Sequence, residues 1–241
     1  MRNKTTKLYA SFFYPSLFIL LLWTIKLFEE AFRVNLAWYG LYPRTVHGLL
    51  GIFTAPLLHA NFSHLMSNTI PLLILGSIIV FFYRSIAFPV FFWVYFMTGI
   101  WVWAAGRDSY HIGASGIIYG FISFLFFSGV FRKDTRLLAL SLFVVFVYGS
   151  TVWGMLPLNN GISWESHLLG ALAGVITSYN FRKEGPQPRK YDLGDEEENA
   201  QIDVSGEQMY EHTDIDTQGV QPVYTYIITP TENHTPKEAN S

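Results

Sequence analysis

Three short patterns in this chain carry residue types that can do chemistry together. They are His59, His64 and Asn68 in "HANFSHLMSN", Ser115 in "GASGIIYG", and His167 in "WESHLLGALAG". A serine hydroxyl is a weak nucleophile until a base takes its proton, and neutral histidine suits that task near pH 7. The oxyanion that follows needs fixed donors. The Ser115 amide at a helix start, the His64 ring and the Asn68 amide can supply them.

Helical spacing narrows the geometry. His64 and Asn68 stand four apart and share a helix face, as do Ser115 and Tyr119. His167, Gly170 and Gly174 share another, and Gly116 and Gly120 form a matching small-xxx-small pattern. The two glycine faces are expected to touch, which brings Ser115 within reach of His167 and puts the Tyr119 ring beneath the imidazole. The glycines around Ser115 are expected to leave room for a substrate backbone. No carboxylate is well placed to complete a triad: Asp108 precedes the serine helix, Glu165 lies two residues before His167, and Asp134 falls on the opposite side. A Ser–His pair is the economical arrangement.

The elements that must position these groups are membrane spans. Of 241 residues, 51% are hydrophobic and only 14% charged, against about 25% charged in soluble domains. A bilayer core about 30 Å thick needs ~20 apolar residues per helix. Six runs qualify, at roughly 11–28, 63–83, 87–106, 112–131, 135–153 and 165–181. Lysine and arginine concentrate before span 1 (Arg2, Lys4, Lys7), between spans 2 and 3 (Arg84), between spans 4 and 5 (Arg132, Lys133, Arg136) and after span 6 (Arg182, Lys183). The positive-inside rule then sets both termini in the cytosol. Spans 2, 4 and 6 all begin at the outer face, so the three patterns share one depth, where intramembrane polar groups point to function.

The basic start "MRNKTTK" leads into span 1 without a small-residue cleavage pattern, which favours a retained anchor over a signal peptide. Residues 29–63 mix aromatics and charges without a clean span and read as an interfacial loop with short helical pieces, Trp38, Tyr39 and Tyr42 suiting the headgroup level. Residues 1–181 hold 11 Lys/Arg against 5 Asp/Glu, a balance of +6, and residues 182–241 hold 5 against 13, a balance of −8. The expected organisation is therefore a six-span body over 1–181 and an acidic, disordered cytosolic tail over 182–241. Within that tail "VQPVYTYIITP" could form a short strand or a docking peptide.

Several chemistries fail on inventory. The chain has no cysteine, so disulfides and thiolate sites are excluded. It has no His-Glu-x-x-His, and His59 and His64 lack a nearby acidic ligand, so no metal and no cofactor are expected. No basic stripe with stacking aromatics points to nucleic acid. Asn61-Phe62-Ser63 and Asn233-His234-Thr235 fit the glycosylation pattern and are read as chance occurrences.

Taken together, the patterns resemble the rhomboid intramembrane serine proteases. His59, His64 and Asn68 match that family's His-x4-His-x3-Asn, and Gly113-Ala114-Ser115-Gly116 with Tyr119 matches its serine pattern. His167, Gly170 and Gly174 match its His-x2-Gly-x3-Gly. The resemblance covers about residues 8–181. It implies an all-α, six-transmembrane-helix bundle with a long first loop, in the plasma or a bacterial inner membrane. It implies a serine endopeptidase with Ser115 as nucleophile and His167 as base. His64, Asn68 and the Ser115 amide would hold the oxyanion, Tyr119 would stack on His167, and His59 would support the site. Its partners would be membrane lipid and single-pass transmembrane substrates, cut near the outer end of a loosened helix. The Trp-Arg pair that many relatives carry in the first loop is split here, as Trp38 and Arg44. The alternatives are a catalytically silent protein that binds membrane helices, and a transporter built on the His/Asn cluster.

Overall fold

Each of the six apolar runs forms a helix, the form that satisfies every backbone group of an isolated span away from water. The computed structural model describes residues 4–158 and 163–187. The long helices are α1 (Lys4–Phe32), α3 (Phe62–Phe82), α4 (Ala87–Ala105), α5 (Ser115–Arg132), α6 (Thr135–Tyr148) and α7 (Trp164–Asn180), with a one-turn α2 (Gly51–Thr54) in the first loop. Among the described residues there is no strand, only an isolated bridge between Leu41 and His111. Lys7–Phe32, Phe62–Phe82, Ala87–Ala105, Ser115–Arg132 and Thr135–Met155 are long and apolar enough to cross a membrane. The sixth, α7, has 17 residues, fewer than any of these five stretches. The chain is a multi-pass membrane bundle of the expected class.

Two helix starts are set by side-chain caps. Asn61 Oδ1 accepts from the His64 amide at 2.8 Å to open α3, and Asp134 Oδ1 accepts from the Arg136 amide at 2.9 Å to open α6. The Asn61 side chain of the first glycosylation pattern is thus engaged as a cap, and Asn233 lies outside the described residues. So do the "VQPVYTYIITP" segment and the acidic tail beyond residue 187.

α1 and α3 run antiparallel in a readable register. A β-carbon on Gly76 would meet Pro15 Cγ at 3.1 Å, Trp23 Nε1 donates to Thr69 Oγ1 at 3.1 Å, and Lys26 Nζ donates to the Ala60 carbonyl at 3.3 Å. Lys26 is a buried cation inside span 1, paired with Glu29 Oε2 at 3.0 Å and Glu30 Oε1 at 2.9 Å. The apolar core gathers Leu65, Leu75, Ile79, Val90, Val94, Phe124 and Leu125 between α3, α4 and α5.

The first loop folds as the expected string of short pieces: single 3₁₀ turns at Ala37–Tyr39, His47–Leu49 and Ala55–Leu57, with α2 between the last two. It is fastened to the end of α4. Trp103 Nε1 donates to the Thr45 carbonyl at 2.8 Å, and the Arg44 guanidinium donates to the Gly106 carbonyl at 2.6 Å while pairing with Asp108. Trp38, by contrast, packs on His47 and is largely exposed. The two residues of the split pair do separate jobs.

One element departs from expectation. The fifth run is helical only to Tyr148, and Gly149–Met155 continues as 3₁₀. Two glycines in seven residues weaken the α ladder there. The tighter winding turns carbonyls out of that ladder.

Candidate active site

Ser115 is the first residue of α5, so its amide has no partner inside the helix. Gly113, two residues earlier, takes φ +108, a left-handed backbone that side chains resist. A β-carbon there would also lie 2.7 Å from His64 Cε1. Gly113 therefore lets the His64 ring close against the serine turn. A β-carbon on Gly116 would meet Thr98 Cγ2 at 2.9 Å and the Ser166 carbonyl at 3.1 Å. In the direction of a β-carbon, both glycines therefore abut the chain's own neighbours, His64 and Thr98.

The two glycine faces do meet. A β-carbon on Gly170 would fall 2.2 Å from the Gly116 carbonyl oxygen, and one on Gly174 would fall 2.1 Å from that of Gly120. Backbones this close bring the opening turns of α5 and α7 together. Ser115 Oγ then lies 2.8 Å from His167 Nε2.

The other imidazole nitrogen decides the tautomer. His167 Nδ1 is 2.8 Å from the carbonyl oxygen of Gly154. A carbonyl can only accept, so Nδ1 carries the hydrogen and Nε2 offers its lone pair to the Ser115 hydroxyl. The Tyr119 ring stacks on His167 with centroids 4.2 Å apart and planes 9° from parallel. Its hydroxyl donates to the Thr151 carbonyl at 2.8 Å. Both carbonyls belong to the 3₁₀ segment Gly149–Met155, so this segment orients the imidazole and its platform at once.

Neither Gly154 nor Thr151 was singled out in the sequence. Backbone acceptors leave no residue signature, and the glycines at 149 and 154 were the only cue. The acidic groups are engaged elsewhere: Asp108 with Arg44, and buried Glu165 with Arg107 at 3.3 Å.

On the other side of the serine, Asn68 is buried and its Nδ2 has no hydrogen-bond partner among the described residues. That amide lies beside the serine turn: a β-carbon on Gly113 would sit 3.8 Å from it. His59 lies in the turn before α3, its ring edge-on to His64 with centroids 5.1 Å apart. Burial, and then the neighbouring His64, push the His59 imidazole down to about 4, so it is neutral at physiological pH. A second polar cluster ties the two loops. His111 bonds Ser163, which bonds Ser166 at 2.6 Å, so the turn before Ser115 is joined to the start of the His167 helix.

The pattern that defines the Rhomboid domain matches residues 46–184. The chain is similar to uncharacterized proteins of Mycobacterium bovis and Mycobacterium tuberculosis, each 37% identical over 175 residues, 67% of this chain and 71% of theirs. An uncharacterized protein of Mycobacterium leprae is 35% identical over 172 residues, 67% of this chain and 68% of its own. The matched stretch holds every residue of the three patterns and the segment that orients His167: the chain belongs to the rhomboid family.

Proposed function

We propose that this rhomboid is an intramembrane serine endopeptidase that cuts single-pass membrane proteins near the outer end of their transmembrane helix, using Ser115 and His167. The observation that carries the reading is the 2.8 Å contact from Ser115 Oγ to His167 Nε2, with Nδ1 committed to the Gly154 carbonyl. A histidine locked in that tautomer by a carbonyl does what a carboxylate does for tautomer choice in a three-residue device.

The chemistry follows from these atoms. His167 Nε2 takes the hydroxyl proton as Ser115 Oγ attacks the scissile carbonyl carbon. The new oxyanion receives hydrogen bonds from the Ser115 amide, the His64 ring and Asn68 Nδ2. The unpartnered state of Nδ2 supports this role, because a donor left open in the resting protein loses no bond when the charge develops. Collapse breaks the C–N bond, and Nε2–H returns its proton to the leaving amine. A water activated by the same nitrogen then attacks the acyl-enzyme ester and frees Ser115.

The asymmetry of lysine and arginine supports cytosolic termini, with the site opening toward the outer leaflet and residues 182–241 forming an acidic cytosolic tail.

Ser115→Ala should abolish cleavage of a membrane-tethered reporter while leaving expression and membrane insertion intact, a loss of about 10³-fold or more. Undiminished cleavage by that variant removes the reading. A fluorophosphonate should label wild type at Ser115. Silence at saturating probe would instead favour a member that binds membrane helices without cutting them.

A further inference from the structure

Away from Ser115, an apolar cleft of about 550 Å³ opens between α1, α3, α4 and α5. Its wall on α1 runs from Tyr14 to Thr24, and Gly76, Phe88, Phe91 and Phe121 line the rest. The helices hold it open rather than close on it. α1 crosses α3 tightly at Pro15 and Gly76, and reaches α4 through ring contacts, Tyr14 on Phe88 at 4.8 Å and Phe18 on Phe91 at 5.5 Å. None of the groups that surround Ser115 lines it.

Its length and charge identify an occupant. Ten helical residues rise about 15 Å, half of a hydrocarbon core about 30 Å thick. The cleft is therefore as long as one leaflet is deep. Phe88 and Tyr14 line the end of the cleft nearest the α3–α4 turn, the end that carries exposed Arg84 and Lys7. Residues 1–28 and 83–90 contain no Asp or Glu. Gly185 packs near Ile86 and Ser85, which brings Glu184 toward this end with Arg182 and Lys183 beside it, so the balance there stays positive. Lysine and arginine at a headgroup surface attract anionic lipid.

We propose that the cleft holds one acyl chain of an anionic phospholipid whose phosphate sits at the Arg84–Lys7 end. The chain fills a void that would otherwise forfeit dispersion contacts along α1. The headgroup pins it to the bundle, so it behaves as a bound ligand and not as bulk solvent.

The test uses the full-length protein, extracted from membranes in neutral detergent, with co-purifying lipid counted by native mass spectrometry. Leu17→Trp and Leu20→Trp put a ring into the cleft from exposed positions, and Leu142→Trp makes the same change on the exposed face of α6. Wild type and L142W should retain phosphatidylglycerol, and L17W and L20W should lose about tenfold of it. The double variant Lys7→Gln/Arg84→Gln should lose the preference for phosphatidylglycerol over phosphatidylcholine while still holding a chain. Adding phosphatidylglycerol should raise the Tm of delipidated wild type but not of L17W. Equal lipid retention by L17W, L20W and wild type overturns the proposal. Stabilisation by inorganic phosphate equal to that by phosphatidylglycerol also overturns it, as does a dimer that L17W dissociates without change in bound lipid. None of these readouts depends on cleavage.

Discussion

Arg132 and Asn68 are equally buried, 4% and 3% exposed, near opposite ends of the bundle, and their donors meet opposite fates. Arg132 Nε bonds Ser128 Oγ at 2.8 Å, Nη2 bonds the Phe181 carbonyl at 2.6 Å, and Nη1 reaches the carbonyls of Arg182 and Glu184 at 2.8 and 2.6 Å. Asn68 Nδ2 has no partner among the described residues. A buried donor left open costs about 1–3 kcal/mol, whereas a paired one is neutral or better. The difference separates a place where polarity holds the chain together from a place where a donor stays open, the donor that the proposed reaction would use. Substitutions that move stability and cleavage in opposite directions can break or sharpen that distinction.

The largest effect is expected at Asn68. Asn68→Leu keeps the shape and removes the orphan donor. Cleavage should fall about 10²- to 10³-fold, as for loss of one oxyanion donor. Thermal unfolding should show stability unchanged or raised by about 1 kcal/mol. A variant that cleaves normally and melts early would mean that Nδ2 is structural, and the contrast with Arg132 would collapse.

Arg132→Met should do the reverse. It keeps much of the apolar stem but strips the donors from the chain's exit at residues 181–186, with an expected cost of about 3 kcal/mol. The folded fraction should cleave at the wild-type rate, read as an unchanged kcat after normalising to Ser115 labelling by a fluorophosphonate. A tenfold fall in that normalised rate would show that the two ends are coupled.

A smaller, more local effect tests the carbonyl that orients His167. A β-carbon on Gly154 would fall 2.1 Å from the Tyr119 hydroxyl and 3.2 Å from His167 Nδ1. Gly154→Ala should therefore displace the platform and cost about 10- to 10²-fold in cleavage, the range for a misplacement near 1 Å. Gly149→Ala is the control in the same 3₁₀ segment. Its β-carbon would meet only Val145 Cγ1, at an ordinary 3.7 Å, so activity should survive. Equal losses from both would make the whole segment, and not the Gly154 carbonyl, the sensitive feature.

These residues also mark how far the sequence could be read. The spans were legible because a bilayer demands long apolar runs, and the helix starts fall within three residues of expectation except in α1, which begins earlier. Ser115, His167 and Tyr119 were legible because helical spacing and paired glycines force α5 and α7 together. Gly154 was not, since span 5 reads as apolar through the point where its helix tightens to 3₁₀. The burial of Arg132 and Lys26 is not legible for a related reason. Counting charges orients a membrane protein but does not say which charges turn inward: Arg132 reads as a cytosolic marker and Lys26 as one charge within an apolar span, yet both are buried. The glycines beside Ser115 show the converse. Their smallness was visible, but the groups that fill the room they leave, His64 and Thr98, come from other helices.

The smallest effect is expected at Asp134, which caps α6 at the Arg132 end of the bundle. Its carboxylate accepts from the Arg136 and Leu137 amides at 2.9 and 3.3 Å and pairs with the Arg136 guanidinium at 2.7 Å. The Arg136 side-chain hydrogen bond, opposed by burial, holds the carboxyl below its ordinary value. A depressed carboxyl contributes stability that is present above its unfolded pKa, about 3.9, and is lost as pH falls through the lower folded value. Asp134→Ala should therefore cost about 1 kcal/mol at neutral pH. Asp134→Asn, which can still cap, should cost less, and its gap from wild type in Tm should hold from pH 8 to pH 5 and narrow below about pH 4. Neither variant should change cleavage at neutral pH, because the cap lies at the far end of α5 from Ser115. If Asp134→Asn cleaves slowly while its Tm is unmoved, polarity at this end serves the reaction as well as the fold, and the division drawn between Arg132 and Asn68 is wrong.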